Sequence, residues 1–204
     1  KIAVFFHGYD ISCYLDIYGE NTYNYLFEQA DILLPISQHW QKKLIDLGGN
    51  PNKTLVHHMG IDCIKFNYIK PSSQEQFSLL SVARLVEKKG LEYSIRAVAQ
   101  LIPQYPNLQY LIIGDGILKQ ELENLIEQLN VSNQIKLLGW KQQQEIISIM
   151  ENSALVLAPS VTSDNGDCEG IPVCLMESMA KGLPVISTYH SGIPELIEDG
   201  RSGY

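Results

Sequence analysis

Two glutamates, Glu169 and Glu177, stand eight residues apart in GDCEGIPVCLMESMAKGLPVIST. Pro172 lies between them and suits the first turn of a helix. That helix would present backbone N–H groups from Ile171 to Val173 to an anion such as phosphate. Glu169 would sit on the loop before it, and Glu177 about two turns in, where a carboxylate can accept two sugar hydroxyls. The same pattern also describes an acid favoured by the helix dipole and a solvated helix glutamate. Arg84 and Lys89 frame the turn in SVARLVEKKG. Arginine can bind two phosphate oxygens at once and lysine acts as a point charge, so the pair suits a diphosphate; a solvated surface pair has the same spacing. Gly114-Asp115-Gly116 allows a tight turn or a close backbone approach, and as a lone GxG it is far short of a dinucleotide fingerprint. Trp140, after Gly139, could pack beside a flat base or half-bury itself in a loop.

Elements at these positions follow from hydropathy. Apolar runs of strand length cover 2–6, 32–36, 55–59, 77–82, 108–113, 135–138, 155–158 and 184–187. Most are continuous, as in strands buried on both faces. Helices are predicted over 20–30, 39–47, 90–104, 118–129, 142–152, 171–181 and 193–198. In 90–104, Leu91, Ile95, Val98 and Ile102 share one face, and Pro103 and Pro106 stop the helix. Alternation of this kind predicts an α/β fold with a mainly parallel sheet. The ends of three strands then carry the Arg84, Gly114 and Gly139 signals, where open parallel sheets bind ligands. A boundary is expected within 61–73, where Pro71 and two serines precede a fresh strand.

Composition narrows the chemistry. The apolar fraction of 45% supports a core. A net charge of −8 argues against nucleic acid or an anionic bilayer as a general partner. Cys13, Cys63, Cys168 and Cys174 form no CxxC pair, which excludes a zinc ribbon or thioredoxin-type site. No apolar run approaches the ~18 residues of a membrane span. The first residue is Lys1 and the last segment is DGRSGY, so both ends read as cuts through a longer protein.

Arg84 and Lys89 followed by Glu169-x7-Glu177 resemble the donor site of GT-B-fold retaining glycosyltransferases of family 4. Matching strings run along the whole chain: HGYD at 7–10, LPIS at 34–37, MGID at 59–62, RLVEKKG at 84–90, LLGW at 137–140, EGIPVCLMES at 169–178 and GIPELIEDG at 192–200. HGYDIS and SDNGDCEGIP are most similar to the branch that builds capsular, colanic-acid-type and other surface polysaccharides. Ala83 departs from the glycine usual before the arginine.

The resemblance implies an end of an N-terminal acceptor-side domain at 1–66. A Rossmann-like nucleotide-sugar-binding domain at 67–204 would lack its final helices. It implies that Arg84 and Lys89 hold the donor diphosphate and Glu177 the ribose. Glu169, Gly170, Ile171, Pro172 and Val173 would meet the donor sugar and phosphate. Gly139, Trp140 and Lys141 would approach the base, and His7 would face the transferred sugar; a hydrogen-bonded histidine at a strand end is the plainer alternative. His7, Glu169, Arg84 and Lys89 are the expected catalytic set, His190 lies near, and His39, His57 and His58 are structural. The implied substrates are a UDP- or GDP-linked sugar and a glycan or lipid-linked acceptor, with no metal or cofactor. The expected place is the cytoplasm, with peripheral association at the inner membrane face through the absent N-terminal part, and these 204 residues alone are expected to be inactive. A non-catalytic nucleotide-sugar-binding module and a nucleotide-sugar epimerase are the rival readings.

Overall fold

The computed structural model describes residues 1–68 and 77–204. The larger sheet is built from β3 (Ser78–Val82), β4 (Gln109–Ile113), β5 (Ile135–Leu137), β6 (Leu155–Ala158) and β7 (Val185–Ser187). All pairs are parallel, and the order is β5-β4-β3-β6-β7. The chain therefore winds outward from β3 to β5, crosses back, and continues through β6 to β7. The reversal opens a crevice beyond the carboxyl ends of β3 and β6, the place where doubly wound sheets take ligands.

Each face of this sheet has its own core. On one side Leu79, Tyr110, Ile112 and Ile135 meet α4 (Leu91–Leu101) and α5 (Lys119–Gln128) through Leu91, Ile95, Val98, Leu122 and Ile126. On the other, Leu80, Ile113, Val156 and Val185 pack with Met150 of α6 (Gln143–Glu151), Leu175 of α7 (Val173–Ala180) and Ile193 of α8 (Ile193–Leu196). Burial of each such side chain stabilises the fold by about 1.5–3 kcal/mol relative to exposure. The buried polar group at the centre of the first core is satisfied: the Tyr110 hydroxyl lies 2.7 Å from both Ser81 and Ser94 Oγ. Burial pushes the Tyr110 phenol up to about 12, against those two hydrogen bonds.

The smaller sheet pairs β1 (Ala3–Phe6) with β2 (Ile32–Pro35) in parallel. It packs with α1 (Cys13–Tyr18), α2 (Asn24–Gln29) and α3 (Gln38–Asp46) around Phe6, Leu15, Phe27, Leu33 and Trp40. Three expectations are corrected here. Helix α1 was not anticipated. The predicted helix 20–30 is a 3-10 turn over Glu20–Tyr23 followed by α2. The predicted strand 55–59 is an extended run beside β2. It donates from Leu55 to Leu33 and from His57 to Pro35, without becoming a regular strand. The expected boundary at 61–73 falls partly outside the described residues. Within its described part, Ile61 and Phe66 already pack in the core beneath β3 and β6.

Candidate functional site

The turn after β3 carries Glu87–Lys89 in a 3-10 helix that ends at Gly90, whose φ is +60°. These three consecutive side chains grip the loop that follows β6. Glu87 Oε1 accepts from the Asp164 N–H at 2.8 Å. Lys88 Nζ donates to Asp167 Oδ1 at 3.0 Å and to the Cys168 carbonyl at 3.4 Å. Lys89 Nζ is ion-paired with Glu169 Oε2. Lys88 is 7% exposed, which makes it an anchor rather than a surface cation. The clamp spans the crevice between β3 and β6 and fixes the loop that delivers Glu169.

Glu169 is held on two further sides. Its backbone N–H donates to His190 Nε2 at 3.3 Å, a bond that requires this nitrogen to be unprotonated. Burial pushes the Glu169 carboxyl up. The Lys89 charge and hydrogen bond, the Lys88 charge and the Gly170 N–H outweigh that and hold it below its ordinary value. Burial also lowers His190, partly opposed by Glu169 and reinforced by His39 and Lys88.

His7 enters from the end of β1. The Asp10 carboxylate accepts the His7 N–H at 2.9 Å and the Gly8 N–H at 2.7 Å, folding the HGYD segment into a tight loop. This loop packs backbone to backbone on the Glu169 loop. A Cβ on Gly170 would lie 2.2 Å from the His7 carbonyl oxygen, so only glycine permits the approach. Ser12 Oγ accepts the Cys168 N–H at 3.2 Å and donates to the Gly8 carbonyl at 2.9 Å, linking the two loops. Farther out, the Glu195 carboxylate accepts the N–H groups of Gln38 and His39 at 2.8 and 3.0 Å, capping α3 together with Ser37.

The outcome is one cleft of about 310 Å³, lined by His7, Lys89, Glu169, Gly170, Ile171, Pro172 and Val173 among the predicted residues, with Met59, Val82 and Cys174 beside them. Pro172 is the cap residue rather than part of the first turn, and α7 begins at Val173. The backbone donors at its mouth are therefore Val173 and Cys174 rather than the expected Ile171 to Val173. Burial raises the Cys174 thiol to about 11, so it is no nucleophile at neutral pH.

Other predicted residues stand apart. Arg84 is exposed at the end of β3 and pairs with no acid among the described residues. Glu177 is half-buried in the second turn of α7, and burial holds its carboxyl above the ordinary value against the opposing Lys65 charge. Gly139, Trp140 and Lys141 follow β5. The Gly139 carbonyl accepts the Gly114 N–H at 2.9 Å, Trp140 is 70% exposed, and Lys141 lies 3.5 Å from Glu145. The GDG signal is structural: Gly114 has φ +143°, and a Cβ there would fall 1.8 Å from the Ala83 carbonyl oxygen. Sequence reasoning left out Lys88, Asp167 and Asp164. Their opposite charges in EKK and DNGD were the available signal.

Because the His190 contact needs a neutral ring, acid should open it. His190 has a folded value below 6.5, so the unfolded chain binds the extra proton first. Its stabilisation is therefore complete above pH 6.5 and declines as the pH falls through that value toward the folded one. His190→Ala should flatten the pH dependence of thermal unfolding between neutral pH and about pH 5. An unchanged profile would remove His190 from the site.

The glycosyl transferases group 1 family matches residues 65–204. WcaL of Salmonella typhimurium, a glycosyltransferase named for colanic acid biosynthesis, is 42% identical over 100% of this chain and 51% of its own length. The amylovoran biosynthesis glycosyltransferase AmsK of Erwinia amylovora is 45% identical, with the same shares covered. The chain thus spans about half the length of these curated relatives. The crystal structure of Anabaena HepE in complex with UDP and glucose superposes with a TM-score of 0.83 at 25% identity, covering 99% of this chain and 56% of that one. The fold is that of GT-B glycosyltransferases. With a family match over residues 65–204 and relatives 42–45% identical along its whole length, the chain belongs to the glycosyl transferases group 1 family.

Proposed function

We propose that this chain forms the donor-binding half of a retaining glycosyltransferase, together with the end of its acceptor-side half. The enzyme would move a sugar from a UDP- or GDP-linked donor to a glycan or lipid-linked acceptor in surface polysaccharide biosynthesis. One observation supports this above others: Lys89, Glu169 and the first turn of α7 converge in the crevice between β3 and β6, opposite His7. When the bond from the sugar's anomeric carbon to the diphosphate breaks, negative charge grows on the leaving oxygens. Lys89 and the Val173 and Cys174 N–H groups would receive it. Donor phosphate would compete with Glu169 for Lys89, freeing the carboxylate to accept sugar hydroxyls. Arg84, exposed and unpaired among the described residues, would close on the diphosphate from outside. Glu177 would hold the ribose, and Gly139, Trp140 and Lys141 would approach the base. We assign residues 1–66 to the acceptor side and 67–204 to the donor side.

HepE, solved with UDP and glucose, and the polysaccharide-biosynthesis names of WcaL and AmsK support the donor and the pathway class. Among the described residues no helix is long and apolar enough to cross a membrane. Calorimetry with UDP and GDP tests the reading, and measurable binding of one of them is expected. Arg84→Ala should weaken that diphosphate by about 1.5–3 kcal/mol, the scale of a hydrogen bond to a charged group, while the bare nucleoside binds unchanged. The sequence holds no Asp-x-Asp, and protein cations face the diphosphate, so EDTA should leave binding intact. Absence of heat with either nucleotide from folded protein overturns the proposal.

A further inference from the structure

Five of the eleven tyrosines lie between residues 9 and 25. Tyr14 is the centre of a ring cluster. Its centroid is 4.4 Å from Tyr18, 5.9 Å from a nearly parallel Tyr23 and 6.4 Å from Tyr9. Tyr23 continues inward to Phe6 at 5.5 Å and Phe27 at 6.0 Å, both buried, and its hydroxyl donates to the Asp10 carbonyl at 2.8 Å. The base of the ridge is therefore fixed in the core. Its outer rings, Tyr9 and Tyr18, remain 48% and 62% exposed.

The ridge leads into the cleft. Tyr9 follows His7 by two residues, and the carboxylate of Asp16, on α1, presses on Gly166 of the loop that carries Glu169. A Cβ on Gly166 would come 2.3 Å from it. The Tyr9 phenol is raised by desolvation, then by Cys13, Tyr18, Asp167 and Tyr14. The sequence segment that carries the ridge is one-sided in charge. Residues 2–41 contain no lysine or arginine and five acids, Asp10, Asp16, Glu20, Glu28 and Asp31.

We propose that Tyr9, Tyr14 and Tyr18 form a stacking platform for neutral sugar rings of the acceptor glycan. Tyrosine offers a rigid, amphipathic face with little entropy to lose, suited to the C–H face of a pyranose. The exposed carboxylates of Asp16 and Glu20 accept sugar hydroxyls. The same acids, with no cation among them, disfavour phosphate and anionic lipid on this face. The inference rests on the proposed transferase reading, because it takes the His7 side of the cleft as the acceptor's entrance.

Saturation-transfer NMR with lactose and cellobiose at millimolar concentration tests it, with UDP calorimetry on the same samples and co-sedimentation with phosphatidylglycerol vesicles. Wild type should show transfer to at least one disaccharide. Tyr9→Ala and Tyr18→Ala should each weaken it by up to about tenfold, and Tyr18→Trp should retain it, with UDP affinity unchanged throughout. No transfer in a protein that binds UDP overturns the platform. So do alanine variants that bind sugar like wild type, or vesicle binding abolished by the same variants, which would assign the ridge to a membrane surface. If tyrosine-dependent sugar binding holds while neither UDP nor GDP binds, the platform stands and the donor reading falls.

Discussion

Lys89→Ala is expected to have the largest effect of any single substitution in the cleft. The side chains of Lys89 and Glu169 are 15% and 14% exposed. Removing the ammonium leaves a carboxylate in a poorly solvated pocket, and breaking such a pair typically costs about 3–5 kcal/mol. Nucleotide binding should disappear with it, since the same ammonium is proposed to meet the diphosphate. The two losses are separable. Lys89→Ala combined with Glu169→Gln removes the stranded charge, so thermal stability should return while UDP binding does not. If binding also returned, Lys89 would be a structural partner of Glu169 and nothing more. The pair also carries a pH signature. The Glu169 carboxyl lies below its ordinary 4.5, so its stabilisation is present above that value and is lost as the pH falls through the folded one.

Gly170→Ala should act on the same site without changing any charge. The added methyl would meet the His7 carbonyl oxygen at 2.2 Å and Ile36 Cδ1 at 2.4 Å. The isoleucine tip can move, but the carbonyl belongs to a loop pinned by Asp10 and Ser12. The expected result is a destabilisation of about 1–3 kcal/mol and a weaker nucleotide affinity, as the Glu169 loop is pushed off the HGYD loop. Unfolding curves and UDP titrations on the same variant check both. A variant with wild-type stability and affinity would show that the two loops are not held at the spacing described.

The sheet was legible because its signal is local. Leu79–Leu80, Ile112–Ile113 and Val156 sit in uninterrupted apolar runs, and a strand buried on both faces has no other way to be written. Helix α1 was not, since CYLDIY mixes aromatic and β-branched residues and lacks a capping side chain. The 55–59 run was over-read because apolar content does not reveal whether a segment finds a regular ladder. At the site, helix α7 could be read from EGIP, with its start off by two residues. The clamp could not: Glu87, Lys88 and Lys89 reach partners 77 to 80 residues away, and nothing in EKKG distinguishes a buried lysine from a solvated one. Lys88 and Lys89 look alike in sequence, yet one anchors the loop through Asp167 and the other faces the cleft.

The Glu195 carboxylate that caps α3 sets an order of assembly. Its bonds to Gln38 and His39 join residues 157 and 156 apart, whereas α3 completes its other cap locally through Ser37. On a growing chain the start of α3 leaves the ribosome long before its acidic partner exists. Contacts of such separation carry a large closure entropy and form late, after the successive β–α units of the larger sheet have docked on their neighbours. The seam carrying the cleft is then the last part of the molecule to become native. In pulse-labelled hydrogen exchange, the Gln38 and His39 amides should gain protection after those of β3 and β4, and simultaneous protection would contradict this order. A protein assembled in this sequence keeps the crevice between β3 and β6 open to solvent until its two halves meet.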